Sequence, residues 1–452
     1  MLRWMTAKPN DPARAGFLWN MIGSSVYALT GMLLGTLVMR LLDAGAGGLF
    51  FFAFTTLGQH LYTIAYFGMR PVQVTDTSYR HTFRDYRAFR LLTCGAALLT
   101  AVVFALCYAK NDRERLAVIL LLAGYKILDG LADCYESEMQ RLGRLDMTGK
   151  AMTLRTLLPV ILFTGTMICT RKLLPSVLVF AAGELLSVLL FDVLPHKQVG
   201  VEEFRRGLLT EPYVLKALFA ESGWLFAAAF LDLFVFAFSK YAVDARLGSE
   251  ASGYYSTIFI PTSAINLMAN FVIRPVLTGL AQDREQGSWA AFTGKIGKIG
   301  ALIAGLTVLG CAAAWLLGIP ALGLLTGPEV RAVLEGYRIP LVMVIAGGGF
   351  YALLNLLYYA LVILKKQKDI FLIYVVGTAA AVLLGWPLTG AAGIFGASLS
   401  YLTAMVLVTA LFAAVTAFAV AEGKKRTKAV KAKEADTVKE EDTAKEEEEE
   451  TV

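Results

Sequence analysis

The sequence predicts an all-α polytopic membrane protein, with about 12 transmembrane helices arranged as two pseudo-symmetric six-helix bundles. Three observations predict it. The 452 residues are 57% hydrophobic and only 17% charged, with a mean hydropathy of +0.60, whereas a soluble domain holds roughly 25% charged residues. The charges crowd between apolar runs of about 20 residues, each long enough to cross a ~30 Å hydrocarbon core as a helix. A β-barrel would instead show ~10-residue alternating segments. Third, Phe67-Gly68-Met69-Arg70-Pro71-Val72 at the end of the second run is echoed by Phe271-Val272-Ile273-Arg274-Pro275-Val276 at the end of the eighth. Upstream, Gly48-Leu49-Phe50-Phe51 and Gly253-Tyr254-Tyr255 correspond. Equivalent helices six apart and in the same orientation imply two halves related by an axis along the membrane normal.

In chain order, helices are expected at about 15–39, 48–69, 89–109, 116–136, 151–169, 173–191, 213–239, 253–274, 294–317, 333–363, 370–388 and 391–420. This divides the chain into an N-terminal six-helix bundle (1–191), a cytoplasmic linker (192–212), a C-terminal six-helix bundle (213–420) and a charged tail (421–452). Met1 to Gly16 includes Pro9, Asn10, Asp11 and Pro12 and lacks an apolar h-region. It is therefore read as uncleaved, with the first helix as the insertion signal. With the N-terminus inside, 31 of the 42 Lys and Arg residues fall in inner segments and 10 in outer ones. That bias places both termini in the cytoplasm. The tail begins with Lys424, Lys425, Arg426, Lys428, Lys431 and Lys433 and continues with ten acidic residues from Glu434 to Glu450. Such a segment cannot bury enough apolar surface to offset its ordering entropy, so disorder is expected.

Covalent catalysis finds no support. Cys94, Cys107, Cys134, Cys169 and Cys311 sit in or beside apolar runs without zinc or disulfide spacing. Gly143 to Lys150 resembles a phosphate-binding loop but has five residues between its glycines, and Ala151 stands where Ser or Thr must hold magnesium. His60, His81 and His196 are scattered. No catalytic residue, metal site or cofactor is expected. Movement of a solute would draw on membrane potential, the solute's own gradient, or coupling to H⁺ or Na⁺.

Ionisable residues within the helices are the informative ones, because burying them in a bilayer is costly. In the fourth helix Lys126, Asp129, Asp133, Glu136 and Gln140 recur at spacings of 3, 4, 3 and 4, which puts them on one face. That face either lines a cavity or forms an interhelical salt-bridge network. The eighth helix aligns Asn266, Asn270 and Arg274, and Arg70 sits at the equivalent depth in the second. The two arginines could flank a diphosphate or snorkel to headgroups. Asn20, Ser24 and Tyr27 in the first helix suit a hydroxyl-rich ligand. Glu221 and Asp232 in the seventh could carry a proton or sodium ion, or neutralise an arginine, and Lys240 marks that helix's outer end.

Several stretches resemble a known family. Gly68 to Asp76, followed by Tyr79, Phe83-Arg84-Asp85-Tyr86 and Arg90, resembles the first cytoplasmic loop of Wzx-type polysaccharide flippases. These belong to the multidrug/oligosaccharidyl-lipid/polysaccharide exporter superfamily. Asp129, Asp133 to Glu136, Gln140 to Asp146, Gly149-Lys150 and Arg155 are similar to the family's loop after helix 4. Lys240 to Asp244, Tyr254, Ile260-Pro261, Ile265 to Leu267 and Arg274-Pro275 resemble its helix 7–8 region, although Ala237-Phe238-Ser239 replaces the usual Asn-Ala-Pro. The resemblance implies an alternating-access flippase moving a polyprenyl-diphosphate-linked oligosaccharide to the outer leaflet of a bacterial plasma membrane, for cell-surface polysaccharide synthesis. Its partners would be membrane lipid and, in that setting, a polysaccharide polymerase and glycosyltransferases; nucleic acid is not expected. An ion-coupled multidrug antiporter of the same superfamily and a peptidoglycan-precursor flippase are the competing readings.

Overall fold

The computed structural model describes residues 2–76, 79–109, 112–199, 210–273 and 276–449. Among them the regular structure is helical, and twelve helices have the length to span a bilayer. The N-terminal six are α1 (Pro12–Leu41), α2 (44–66), α3 (Phe83–Tyr108), α4 (Arg113–Arg141), α5 (Leu145–Thr170) and α6 (Leu173–Val199). The C-terminal six are α7 (212–247), α8 (249–273), α9 (Trp289–Thr326), α10 (Arg338–Ile363), α11 (367–391) and α12 (394–449). Each helix expected from the sequence is present.

Local chemistry fixes the ends. Asp11, Asp43 and Asp112 accept backbone N–H groups at the starts of α1, α2 and α4. Thr82 and Asp85 form a reciprocal capping box on α3. Gly248 (φ 87°) turns the chain between α7 and α8, and Gly393 (φ 57°) does so between α11 and α12. An L side chain rarely adopts either conformation. A π-helical turn, Phe52–Leu57, interrupts α2, and another, Val188–Val193, interrupts α6.

The N-terminal bundle closes on an aromatic core of Phe50, Phe54, Tyr125, Phe163 and Phe180. In the C-terminal bundle Phe259, Ile345, Tyr374, Tyr401 and Phe412 do the same. Outward-facing residues such as Leu99, Leu106, Leu316 and Leu383 are exposed and apolar, as lipid contact requires.

The bundles meet at the face opposite the chain termini. There Gly48 of α2 packs on Gly253 of α8, and a methyl group on either would overlap backbone of the other helix. These are the two glycines paired by the internal repeat, so the contact lies where the halves mirror each other. Around it, Arg115 of α4 pairs with Asp244 of α7 at 3.1 Å. Arg40 donates to the Leu324 carbonyl at 3.2 Å, and the Thr257 hydroxyl reaches Met39 Sδ at 3.1 Å.

Two expectations are revised. The linker starts later than residue 192, because α6 runs to Val199 with Asp192 fully buried. The tail, expected to be disordered, continues α12 as helix to Glu449. Its Ala, Glu and Lys content favours helix, a preference that the burial argument alone ignored.

Candidate functional site

A cavity of about 280 Å³ lies between the bundles. Helix α1 contributes Tyr27, α2 contributes Thr55 and Gln59, α4 contributes Lys126, α7 contributes Lys240, and α8 contributes Ser256 and Ser263. Phe51, Phe54, Phe236 and Phe259 complete its apolar wall. The lining contains two cations, one from each bundle, and no carboxylate.

Each lysine is held differently. Lys126 is only 4% exposed; its ammonium donates to the Tyr27 hydroxyl at 3.0 Å and sits 4.3 Å from the Phe54 ring centre. Gly58 leaves room for its stem, since a methyl there would lie 2.9 Å from Lys126 Cγ. Tyr27 in turn donates to Asp129 at 2.6 Å, with Lys126 Nζ 3.8 Å from the same carboxylate oxygen. Lys240 points its ammonium over Phe259 at 4.4 Å and Phe236 at 5.7 Å. Aromatic faces stabilise a cation while leaving its N–H groups free to bind an anion.

Beneath Tyr27 and Lys126 the stripe on α4 turns away from the cavity and into a buried ion network. Arg155 of α5 sits at its centre. It pairs with Asp129, with Glu136 at 2.9 Å, with Glu184 of α6 at 2.9 Å and with Asp192 at 3.4 Å. Arg70 pairs with Asp133 at 2.9 Å and Glu136 at 3.5 Å, and Arg90 of α3 holds the other Asp133 oxygen at 2.9 Å. Of the two readings left open for the α4 face, Asp129, Asp133 and Glu136 follow the interhelical network, while Lys126 follows the cavity.

The other sequence candidates scatter. Arg70 is engaged by two carboxylates and does not line the cavity. Arg274 and the Asn270 side chain lie outside the described residues. Asn266 accepts from Asn355 at 3.1 Å, within the C-terminal bundle. Asn20 is half-buried where α1 packs on α5, close to Gly149. Glu221 pairs with Arg80 at 3.0 Å on the face carrying the termini. Asp232 accepts from Tyr351 at 2.9 Å inside the C-terminal bundle. Glu184, Asp192, Gln59, Ser256 and Ser263 were not singled out as site residues from the sequence, and Arg90 entered only through the family resemblance. Glu184 could have been, as an acidic residue within an apolar run.

No family model and no curated protein matches the chain. Solved structures do. An inward-facing multidrug resistance MATE family transporter of the MOP superfamily superposes with a TM-score of 0.65 at 12% identity, over 91% of this chain and 96% of that one. The lipid II flippase MurJ, in an inward closed conformation, gives 0.60 at 14% identity, over 89% and 90%. The chain shares the fold of these two proteins. An outward-facing MATE transporter of the superfamily gives 0.54 at 12% identity, over 94% and 98%. The shared fold supplies the setting for the cavity: two six-helix bundles of a multi-pass membrane protein, with the polar lining between them.

Proposed function

We propose that the protein is a flippase for polyprenyl-diphosphate-linked oligosaccharide, acting in a bacterial plasma membrane with both termini in the cytoplasm. The observation that supports this reading best is a cavity lined by two lysines from opposite bundles, Lys126, which Asp129 pairs from behind at 3.8 Å, and Lys240, which has no carboxylate partner among the described residues. A diphosphate entering a low-dielectric space must be met by cations, and these two come from opposite bundles. The hydroxyls and amide of Tyr27, Thr55, Gln59, Ser256 and Ser263 suit sugars. The diphosphate clamp therefore moves from the arginine pair to the lysine pair. The higher TM-score with the inward-facing MATE transporter than with the outward-facing one fits an inward-facing state. Alternating access would carry the headgroup past the contacts at the face opposite the termini while the polyprenyl tail stays in lipid. A cationic drug would meet two lysines in place of a counter-charge, which disfavours the multidrug reading. A peptidoglycan-precursor flippase would share the diphosphate and differ in the sugar and peptide.

The test is flipping of a fluorescent polyprenyl-diphosphate oligosaccharide in proteoliposomes. Lys126→Ala and Lys240→Ala should each slow it about tenfold to hundredfold, the worth of one hydrogen bond to a charged group. Normal flipping by the double variant, or export of a cationic dye in its place, overturns the reading. Orientation has its own check, in a background free of the native cysteines. Glu329→Cys should react with an impermeant thiol reagent added outside intact cells, and Gln286→Cys should not. The opposite pattern inverts the topology.

A further inference from the structure

The lipid-facing stripes of α11 and α12 are charged at one end only. On α11, Leu372, Val375, Val376 and Leu383 are exposed and apolar, and the exposed Lys368 heads this stripe one turn before Leu372. On α12, the exposed Ala414, Phe418 and Ala421 lead to the exposed Lys425 at spacings of 4, 3 and 4, with Lys424 exposed beside it. Lys365, in the turn between α10 and α11, is exposed as well. None of these four lysines has an ion-pair partner among the described residues. From Ile370 to Ala421 the chain carries no charged residue, so the opposite ends of both stripes are neutral. The charged ends are also fixed in place. Lys366 pairs with Glu422 at 3.0 Å, which ties the turn before α11 to α12. Trp289, at the start of α9, lies so close to Gly423 that a methyl there would come within 2.2 Å of the ring, and its indole N–H donates to Thr427 at 2.9 Å. The lysines therefore project from a braced joint of helix ends.

We propose that Lys365, Lys368, Lys424 and Lys425 form a binding surface for anionic phospholipid headgroups on the flank of the C-terminal bundle. An ammonium that ends a lipid-facing stripe sits at headgroup depth, with its aliphatic stem along the apolar helix face. A phosphate diester with an uncharged polar head brings a net negative charge to that depth, whereas a choline head cancels its own phosphate. Each lysine gains from the negative potential of such a leaflet. The nearby carboxylate that could compete, Glu422, is already engaged by Lys366 and Arg426. Because the far ends of the same stripes are neutral, the surface addresses a single leaflet. Lipid bound across the ends of α11 and α12 reinforces the joint made by Lys366 and Glu422, and a ligand that binds only the folded bundle raises its stability.

Thermal unfolding of the full chain in nanodiscs tests this, in phosphatidylcholine alone and with phosphatidylglycerol mixed in. The wild type should unfold several degrees higher in the mixed nanodiscs, and added salt should shrink the difference. The combined Lys365→Gln, Lys368→Gln, Lys424→Gln and Lys425→Gln variant should lose most of the difference and match the wild type in phosphatidylcholine. Arg331→Gln with Arg338→Gln, at the opposite face, should keep it. Native mass spectra give a second reading that does not depend on the variant's stability: the phosphatidylglycerol retained on solubilised protein should fall severalfold when the four lysines are replaced. The proposal is overturned if the wild type does not distinguish the two nanodiscs, if the lysine variant keeps the wild-type difference or the wild-type lipid retention, or if the arginine pair loses as much. A rise reproduced by inorganic phosphate in phosphatidylcholine nanodiscs would show a soluble-anion site and overturn the lipid assignment. No cargo is present, so this result and the flippase assay can fail independently.

Discussion

Arg155→Ala is expected to destabilise the protein by about 3–5 kcal/mol, the cost of breaking a buried ion cluster by removing one partner. The substitution leaves Glu184 and Asp192 of α6 without their ion-pair partner and takes one partner each from Asp129 and Glu136 of α4, which keep Tyr27, Lys126 and Arg70. Loss of monodisperse protein after solubilisation and heating would register it. Arg155→Lys should recover only part of the stability, since an ammonium is a point charge that cannot serve four carboxylates in a planar fork. Neutralising Glu184 and Asp192 in the Arg155→Ala background should restore some of the loss, because the remaining penalty comes from like charges left together. Heat stability equal to wild type in Arg155→Ala would mean that the cluster does not brace the bundle.

Gly48→Val should abolish transport while leaving the protein inserted and folded. A side chain at Gly48 runs into the Ser249 carbonyl and the Gly253 amide, which are backbone atoms and cannot swing aside. The bundles would then be wedged apart at the face opposite the termini, and the state sealed there would be lost. Gly253→Val, against Ala44 and Gly48, should reproduce the phenotype from the other half. Spin-label distances across this face should lengthen in both variants. Unchanged distances with normal flipping would show that the close approach is not part of a working seal.

Much of this architecture was legible because the bilayer restricts the chain so severely. Run length and charge placement gave the helices, and the Gly48 and Gly253 echo pointed to halves that meet at those positions in the structure. The α4 face was legible from spacing alone, but its partners were not. Arg155 lies 26 residues beyond Asp129 and Glu184 another 29 further on, so periodicity on one helix holds no record of them. The carboxylates that pair with Arg70 were hidden for the same reason. Its position at a helix end is visible in the sequence, whereas the carboxylates that occupy it arrive from another helix. Lys240 was read from the sequence at the outer end of its helix; its place in the cavity wall over two phenylalanines was not legible.

The buried network also bears on how the chain enters the bilayer. Among the described residues, eight helical segments are long and apolar enough to cross on their own merits, and neither α2 nor α4 is within any of them. The lower half of α4 carries Asp129, Asp133, Glu136 and Glu138, and each acidic residue near mid-bilayer costs a few kcal/mol against insertion. Arg70 and Arg90 precede α4 in the chain, but Arg155, Glu184 and Asp192 have yet to be made when α4 leaves the ribosome. An α4 synthesised this far has only part of its counter-charge, so it should linger at the translocon until α5 delivers Arg155. Insertion of the N-terminal bundle is therefore expected to be concerted from α4 to α6, the helices that Arg155 ties together.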